Sequence, residues 1–520
     1  MEIKHFLRTF IALSFVFTAA LTGCSSNQET TEMTTIAPKE GGTLVITRLS
    51  DASTFDPHFT NSISTSSFSH NIIYEGLVQQ DKNMAIQPML ATEWKQVDDV
   101  TWEFKLRQGV SFHDGTRFTA EAVKKTFERI LDKNVAAPRA VVFKPVKEIK
   151  IKDDYTVQLV LNYPFAPILS ILASQEGSII SPAAIEQYGK DLTKHPIGTG
   201  PFTFKSWIPG QETVLDKNES YWGEKPKVDK VVFKVVPEGA TRIAMVETGE
   251  AHIAEPLPVT EIERVEASAN ISLYRSEGLA TEFIGFNVKK KPFDDVRVRQ
   301  AISHAIEADS IIKGVFNNIG TKANSTMGPK VFGYHPNLPS YDYDLNKAKE
   351  LLIEAGYPNG FKTTIWTYDK KERVNLAEVA QSQLKGIGID AEVKVLEYGA
   401  FISAIGMGEQ DIFISGWGNA TGDADYNQSN MFHSSSQGDP GNNFFYSNPN
   451  VDTLIEEGRK ETDSVKRKEI YAKAQEIEIK DAVFIPIRNG EQIAALSKKV
   501  NNFWMNPSGY FIINEVSILE

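Results

Sequence analysis

Residue types that commonly carry enzyme or metal chemistry are few and scattered in this 520-residue chain. It has one cysteine, Cys24, and nine histidines, none of which pairs with another at the i,i+4 spacing beside an acid that suits a helical zinc site. It contains no nucleophile elbow and no phosphate loop, and Gly198-x-Gly200 lacks the third glycine of a dinucleotide fingerprint. We therefore expect no catalytic residues, no metal site and no cofactor. An exported peptidase or other hydrolase is the alternative.

Cys24 follows a segment with the features of a secretory signal. Lys4 and Arg8 supply positive charge, and the apolar run 10–21 is shorter than the roughly 20 residues that span a bilayer core. The sequence Leu-Thr-Gly directly before Cys24 resembles the lipobox read by lipoprotein signal peptidase. With no second cysteine available for a disulfide, we expect residues 1–23 to be removed and Cys24 to carry a lipid anchor. An ordinary secreted protein with an unrelated cysteine is the alternative.

Composition predicts a multi-domain body behind a polar linker. Residues 24–39 are rich in Ser, Thr, Glu and Gln, which is typical of a flexible linker. The following 40–520 exceed the size of one hydrophobic core, so two or three domains are expected. The formal net charge is −12 and no basic run occurs, which argues against nucleic acid or an anionic membrane surface as partner.

Hydrophobic periodicity predicts both strands and helices along this body. Residues 101–106 alternate between apolar and polar side chains, the period of a half-buried strand. Strands are predicted at 42–48, 101–106, 390–396, 411–415 and 484–488. Helices are predicted after Thr119, over 295–316, from Asp344 to a stop at Gly356, over 376–385 and over 464–480. The mixture indicates an α/β or α+β class.

Several motifs occur in the order in which one known family has them. The longest extends from Ala91-x-x-Trp94 through Thr101-Trp102-x-Phe104-x-Leu106-Arg107-x-Gly109-Val110-x-Phe112-His113-Asp114-Gly115 to Ala120-x-x-Val123. Shorter ones are Phe55-Asp56-Pro57-His58, Tyr74-Glu75-Gly76-Leu77, Gly198-Thr199-Gly200-Pro201-Phe202 and Tyr221-Trp222. With these motifs the chain from Gly42 onward resembles extracellular solute-binding protein family 5, the binding proteins of peptide, nickel and glutathione ABC importers. Most motif residues are interpreted as structural, with Trp102, Phe104 and Phe112 in the core.

The resemblance implies an α/β fold of the two-lobed, periplasmic-binding-protein-like kind, with mixed β-sheets and a hinge. This is the type II arrangement in its three-domain variant for peptides, whose lobes close over a buried ligand. The implied domains are domain I at 40–76, 195–282 and 485–520, inserted domain II at 77–194, and domain III, the distal lobe, at 283–484. Chain crossings near 282 and 484 would permit closure.

The main ligand-binding segment implied by the resemblance is 416–426. In relatives, the backbone beside the matching tryptophan pairs with the ligand, and the candidates here are Gly416, Trp417, Gly418, Asn419, Thr421, Asp423 and Asp425. Dipeptide and oligopeptide binders hold the ligand's α-amine with an aspartate three residues after that tryptophan, but this chain has Ala420 there. The segment is most like the glutathione-binding branch. A capped loop is the alternative role for Asp423 and Asp425.

Two arginines are candidates for a ligand carboxylate, because a guanidinium donates two parallel hydrogen bonds. Arg139 matches an arginine common in the nickel and glutathione branches, and a surface arginine is the alternative. Arg373 lies near the position of the carboxylate arginine of dipeptide binders. Ser64 and Ser66 are candidate wall residues, with a flexible polar loop as the alternative.

The resemblance implies capture and import. A monomeric receptor, anchored by lipid to the outer or periplasmic face of the cell membrane, would bind a short peptide or glutathione-like ligand. Its closed form would dock on an ABC permease whose ATPase subunits power uptake. A nickel or other metal chelate, or haem, is an alternative ligand class that needs a pocket lined by His and Met. A peptide sensor or chaperone without transport is the other alternative.

Overall fold

The computed structural model describes residues 38–60, 62–438 and 441–519. The predicted signal peptide and Cys24 lie outside these residues. The last two residues of the predicted linker, Pro38–Lys39, form a short strand against Leu519 and Ile518. In the described ranges no helix combines the length and the apolar character that crossing a bilayer requires.

Strands occur along the whole described chain. In order they are β1 (Pro38–Lys39), β2 (Thr43–Arg48), β3 (Val78–Gln80), β4 (Ile86–Pro88), β5 (Ala91–Asp98), β6 (Thr101–Leu106), β7 (Val146–Asp153), β8 (Thr156–Leu161), β9 (Phe202–Ile208), β10 (Glu212–Lys217), β11 (Lys230–Val235), β12 (Ile253–Glu255), β13 (Ile271–Phe286), β14 (Thr321–Lys322), β15 (Lys362–Tyr368), β16 (Asp390–Leu396), β17 (Ile412–Gly418), β18 (Phe484–Ser497), β19 (Val500–Asn501), β20 (Trp504–Met505), β21 (Phe511–Ile512) and β22 (Ser517–Leu519).

Helices alternate with these strands. In order they are α1 (Ile63–Ser66), α2 (Ala120–Leu131), α3 (Ile168–Leu172), α4 (Pro182–Tyr188), α5 (Gly239–Thr248), α6 (Ile262–Ala267), α7 (Val296–Ala305), α8 (Ala308–Phe316), α9 (Leu345–Glu354), α10 (Lys371–Lys385), α11 (Tyr398–Gly406), α12 (Ala424–Asn427), α13 (Pro449–Lys460) and α14 (Ser464–Lys480). Short 3₁₀ segments lie at Pro138–Phe143, Gln175–Gly177, Gly189–Thr193, Val259–Glu261 and Ser434–Ser436, and a π-helical turn lies at Gln428–Phe432.

One large mixed sheet organises the molecule. Its strand order is β16-β15-β17-β13-β18-β12-β2-β11-β10-β9, with β14 added beside β18. The long strands β13 and β18 form its centre, and they pair antiparallel from Ile271 opposite Ser497 to Gly285 opposite Phe484. Their register shifts between Glu277 and Thr281, so the ladder is interrupted there. The two strands therefore link sheet segments that belong to predicted domains I and III.

A separate four-stranded sheet lies within predicted domain II. Its order is β5-β6-β8-β7, and α2 packs beside it. Phe104 and Phe112 are buried in its apolar cluster, as predicted. Phe104 points to this cluster because alternate residues of β6 face the same side of the sheet. Trp102 packs against the same cluster and is only partly buried. The boundaries of the three domains stay a prediction.

The element predictions hold best where periodicity is strong. Strands β6 and β16 and helix α14 have the predicted bounds. The single helix predicted over 295–316 is wrong, because Ile306 and Glu307 have extended backbones that separate α7 from α8. This break lets Ile306 enter the same apolar cluster as residues of both helices.

Two smaller predictions also need correction. Thr119 occupies the position before α2, but its side chain makes no capping hydrogen bond. Strand β18 continues to Ser497, well beyond the predicted end at Arg488, because polar residues after Arg488 interrupt the apolar pattern while the backbone pairing with β13 continues.

Candidate ligand-binding cleft

The free edge of β17 lies at the centre of the candidate site. Strand β13 pairs along one edge of β17 as far as Gly418, whereas β15 pairs with the other edge only at Ile412 and Phe413. Among the described residues no further strand pairs with this second edge from Ile414 to Gly418. An extended ligand can form main-chain hydrogen bonds with such an edge, and these bonds do not depend on which side chains the ligand carries.

Gly416 is required where β17 passes a buried arginine. A Cβ atom at this position would lie 2.4 Å from Nη2 of Arg373 and 2.9 Å from the carbonyl oxygen of Thr281. Only glycine avoids both contacts. The first glycine of the predicted Gly-Trp-Gly segment thus permits close packing behind β17, while the same segment also lies along the free edge of this strand.

One cavity beside β17 has mainly aromatic and apolar walls, and we call it the aromatic cavity. Its volume is about 530 Å³, within the range of roughly 300–1,000 Å³ for ligand pockets. It is lined by Phe283, Tyr368, Tyr398, Gly399, Ile402, Ile405, Phe413, Ser415, Gly416, Trp417, Gly418, Tyr426, Met431, Gly441, Asn443 and Phe444. Within the described part of the chain, none of these lining residues carries a charge.

A second cavity, the charged cavity, also has Trp417 in its lining. Its volume is about 490 Å³. Its charged lining residues are Arg139, Lys144, Glu176, Asp425 and Arg459. Trp417 and Tyr426 line both cavities, and their rings are 5.9 Å apart between centroids. The two cavities therefore meet at this pair of rings.

Arg139, a predicted site residue, lies in the charged cavity and is already paired with an acid. Its Nε donates to Oε1 of Glu176 at 2.7 Å, and the Ser174 hydroxyl donates to the other oxygen of Glu176 at 2.5 Å. Burial is the largest single influence and lowers the pKa of Arg139, but the charge and hydrogen bond of Glu176, together with Tyr426 and Tyr510, outweigh burial and the pKa is raised. A ligand carboxylate would therefore share this arginine with Glu176.

Arg459 is a second arginine in this cavity, and the sequence analysis did not identify it. Its Nε donates to Oδ1 of Asp425 at 3.0 Å, and its Nη2 donates to the hydroxyl of Ser429. Burial is the largest single influence and lowers the pKa of Arg459, but the charge and hydrogen bond of Asp425, together with Tyr471 and Tyr163, outweigh burial and the pKa is raised. Arg459 lies near the end of α13 among other charged residues, so nothing in the sequence separates it from a surface arginine.

Asp425 and Asp423, both predicted site residues, have different surroundings. Asp425 lines the charged cavity beside Arg459. Asp423 is 2% exposed, and both of its carboxylate oxygens accept hydrogen bonds from Arg467 at 2.6 Å. The structure therefore brings Asp425 to the cleft and places Asp423 behind it, in a closed ion pair.

Asn419 and Thr421 shape the loop that follows β17. The side-chain oxygen of Asn419 accepts from the backbone N–H groups of Thr421 and Gly422, and its amide nitrogen donates to the Asp423 carbonyl oxygen at 2.8 Å. Thr421 lines the charged cavity. Asn419 and Gly418 line a third cavity of about 390 Å³.

Of the three remaining predicted site residues, one lines a cavity and two are buried away from the cavities. Ser64 lines the third cavity. Ser66 is buried and its hydroxyl donates to the carbonyl oxygen of Ser62, one turn earlier. Arg373 is buried behind Gly416, where it donates to the Ser415 carbonyl oxygen at 2.7 Å and pairs with Glu282 at 3.3 Å.

Among the hydrogen bonds that connect predicted domain II with the predicted distal lobe, two involve residues that line the charged cavity. The side-chain amide of Gln80 donates to the Thr421 carbonyl oxygen at 2.7 Å. The backbone N–H of Ala166 donates to the Arg459 carbonyl oxygen at 2.9 Å. Both contacts lie beside residues that line the charged cavity.

Comparison with known proteins gives the family. Residues 85–439 match the family described as bacterial extracellular solute-binding proteins, family 5 Middle. The glutathione-binding protein GsiB of Shigella dysenteriae serotype 1 is 34% identical over 480 residues, which are 90% of this chain and 93% of that protein.

Solved structures agree with this match. The periplasmic binding protein DppA of Helicobacter pylori, in complex with the peptide STSA, is 33% identical with a TM-score of 0.78 over 93% of this chain and 99% of that chain. HbpA2 of Haemophilus parasuis is 30% identical with a TM-score of 0.84 over 92% of this chain and 100% of that chain. The chain therefore belongs to family 5 of the bacterial extracellular solute-binding proteins.

Proposed function

We propose that this chain is the substrate-binding component of an ABC importer, and that it captures a short peptide or glutathione-like ligand in the cleft around Trp417. The free edge of β17, between the aromatic and charged cavities, is the observation that carries the proposal. Such an edge supports main-chain pairing with an extended ligand. Similarity to a glutathione-binding protein and to a protein in complex with the peptide STSA supports the same ligand class.

Arg139 and Arg459 are the proposed partners of the ligand's carboxylate. Both line the charged cavity, and each is held by one acid. A guanidinium held in place loses less conformational freedom when a carboxylate arrives. Capture is proposed to involve no catalysis, since the family consists of solute-binding proteins.

Delivery is proposed to occur at the outer or periplasmic face of the membrane. The chain would act as a monomer that remains attached through a lipid on Cys24 and passes its ligand to permease and ATPase subunits. A flexible tether supports this role because it raises the local concentration of loaded receptor near the permease.

Calorimetry with glutathione, dipeptides, tetrapeptides and nickel–histidine tests the ligand class. We expect peptide or glutathione binding, and a loss of roughly 10–100-fold in affinity for Arg139→Gln, since a hydrogen bond to a charged group contributes about 1.5–3 kcal/mol. The control is Arg117→Gln, at an exposed arginine of the same predicted domain.

Three results would argue against parts of this proposal. Glutathione binding weaker than millimolar would argue against a glutathione-like ligand and would leave short peptides as the proposed ligand class. Unchanged affinity in Arg139→Gln would remove this arginine as the carboxylate partner. Binding of nickel–histidine alone would replace the peptide class with a metal chelate.

A further inference from the structure

The two cavities that meet at Trp417 differ in charge. The described lining of the aromatic cavity has no Asp, Glu, Lys, Arg or His, whereas Arg139, Glu176, Asp425 and Arg459 all line the charged cavity. A ligand that spans the Trp417 ring therefore experiences two different surroundings at its two ends.

The wall of the aromatic cavity is suited to a large apolar group. The Phe283 ring is 5.5 Å from Phe444 and 6.1 Å from Phe413, and the last two rings are 5.4 Å apart. These three side chains are almost fully buried, so they form a firm apolar surface. The apolar area that a ligand can cover belongs to the less buried lining residues Tyr368, Tyr398, Ile402 and Trp417, and apolar ligand atoms that cover it remove it from water.

A charged group in the aromatic cavity would meet no charged side chain in the described lining, and the nearby Arg373, behind Gly416, is already paired with Glu282. Moving a charge out of water is unfavourable unless it is paired and hydrogen-bonded. The polar groups that the cavity offers include the amide of Asn443 and the hydroxyl of Ser415, and both are uncharged. The cavity therefore discriminates against acidic and basic side chains.

We infer that the cleft selects peptides that place a bulky, uncharged, apolar side chain, aromatic or long aliphatic, in the aromatic cavity and a charged terminus in the charged cavity. This inference rests on the proposed function and narrows its ligand class. The Trp417 ring separates the two positions, and the free edge of β17 holds the main chain between them.

Glutathione fits this arrangement less well than such a peptide. It carries charged groups at both ends and a small thiol side chain between them. Free peptides are charged at both ends as well, so the difference lies in the side chain. The thiol of glutathione covers less apolar wall in the aromatic cavity than an aromatic or long aliphatic side chain does. An apolar peptide of similar length is therefore expected to bind more tightly than glutathione.

Calorimetry with a matched peptide series tests the inference. The probes are Ala-Phe-Ala, Ala-Leu-Ala, Ala-Ala-Ala, Ala-Asp-Ala and Ala-Lys-Ala, with glutathione beside them. We expect the Phe and Leu peptides to bind at least tenfold more tightly than Ala-Ala-Ala, and the Asp and Lys peptides to bind less tightly than Ala-Ala-Ala.

A pair of variants on α11 locates the selecting surface. Ile402 lines the aromatic cavity and is half-buried, whereas its neighbour Ser403 is exposed and does not line it. Ile402→Trp is expected to reduce the preference for Ala-Phe-Ala over Ala-Ala-Ala to less than threefold. Ser403→Trp, which adds the same side chain on the solvent face, is expected to keep it.

The outcomes distinguish this inference from the function on which it rests. Equal affinity of the wild-type chain for the five peptides overturns the selection and leaves peptide capture standing. Failure of every peptide and of glutathione to bind overturns both. Tight binding of glutathione together with weak binding of Ala-Phe-Ala overturns the selection alone. If circular dichroism shows that Ile402→Trp does not fold, the affinities of the wild-type chain for the five peptides decide whether the inference holds.

Discussion

Carboxylates near the cleft have two distinct roles, although they lie close together in the sequence. Asp425 lines the charged cavity, where it holds Arg459. Asp423, two residues earlier, caps α12 and is closed off in its pair with Arg467. The first carboxylate shapes the surface that a ligand meets, whereas the second holds the loop that carries that surface.

Asp423→Asn is expected to destabilise the folded protein by about 3–5 kcal/mol, because it leaves the buried Arg467 guanidinium without a counter-charge. Urea unfolding followed by circular dichroism measures this change. The control is Asp309→Asn, whose exposed pair with Lys322 at 3.5 Å is expected to contribute less than about 1 kcal/mol. Equal effects of the two variants would contradict a structural role for Asp423.

The family motif in the sequence singled out the segment 416–426, but the sequence alone could not predict the partner of each of its side chains. Trp417, Thr421 and Asp425 line cavities, in line with the segment chosen from the family motif. Arg467, the partner of Asp423, is 44 residues away in the chain, and no local pattern connects them. The same lack of local signal explains why Arg459 was missed. Long-range pairs of this kind are set by packing, which a single sequence does not reveal.

At the scale of elements, helix α14 contains an unusual buried acid. Glu478 is 1% exposed and accepts a hydrogen bond from the Gln428 amide at 3.2 Å, where α14 packs near the π-helical turn. Burial raises the pKa of Glu478 from 4.5 to about 8, and the nearby Asp481 carboxylate adds to this increase, while the Gln428 amide opposes it. The folded protein therefore retains a proton on Glu478 that the unfolded chain releases.

This acid makes stability depend on pH. With a raised pKa in the folded state, the contribution of Glu478 is present below pH 4.5 and is lost as pH rises toward about 8. Glu478→Gln keeps the shape of the protonated acid and removes the titration. We expect the melting temperature of Glu478→Gln relative to wild type to increase between pH 5 and pH 8.

The control for this prediction lies on the same helix. Glu469 is exposed on α14, so Glu469→Gln is expected to show the same difference from wild type at both pH values. A Glu478→Gln difference that is constant from pH 5 to pH 8 would refute the protonated buried acid.

Strand β6 was predictable because its apolar and polar residues alternate. Helix α14 also has the predicted bounds, although its buried residues include Arg467, Gln475 and Glu478 and so do not form an apolar face. The break between α7 and α8 was not predictable, because the residues on both sides favour a helix and only the tertiary position of Ile306 accounts for the break. Tertiary packing overrides local preference at such positions.

At the scale of the whole molecule, composition indicated a large mixed α/β body, and the family motifs supplied its architecture. The match to family 5 over residues 85–439 confirms the resemblance drawn from those motifs. The similarity to solved peptide-binding proteins confirms the two-lobed fold. Neither the order of strands in the large sheet nor the position of the two cavities follows from periodicity, since both depend on contacts between distant segments.

The proposed anchor predicts where the whole protein is found in cells. Cys24→Ser is expected to move the protein from the membrane fraction to the medium or periplasmic fraction, because the thiol that carries the lipid is absent. Immunoblotting of the fractions measures this change. The purified variant should bind the same peptides as the wild type. Retention of Cys24→Ser in the membrane fraction would argue against lipid attachment at this residue.

The interrupted ladder between β13 and β18 has a mechanical consequence. Two uninterrupted chains run from predicted domain I into predicted domain III, but they lack regular pairing from Glu277 to Thr281. Leu279 and Ala280, in this gap, line the third cavity beside Gly418. A pair of strands bends most easily where its cross-strand hydrogen bonds are missing, and in this gap Ala280 pairs with Gly418 of β17. A ligand that reaches from Gly418 into the third cavity would contact the two strands at this point and restrict their bending.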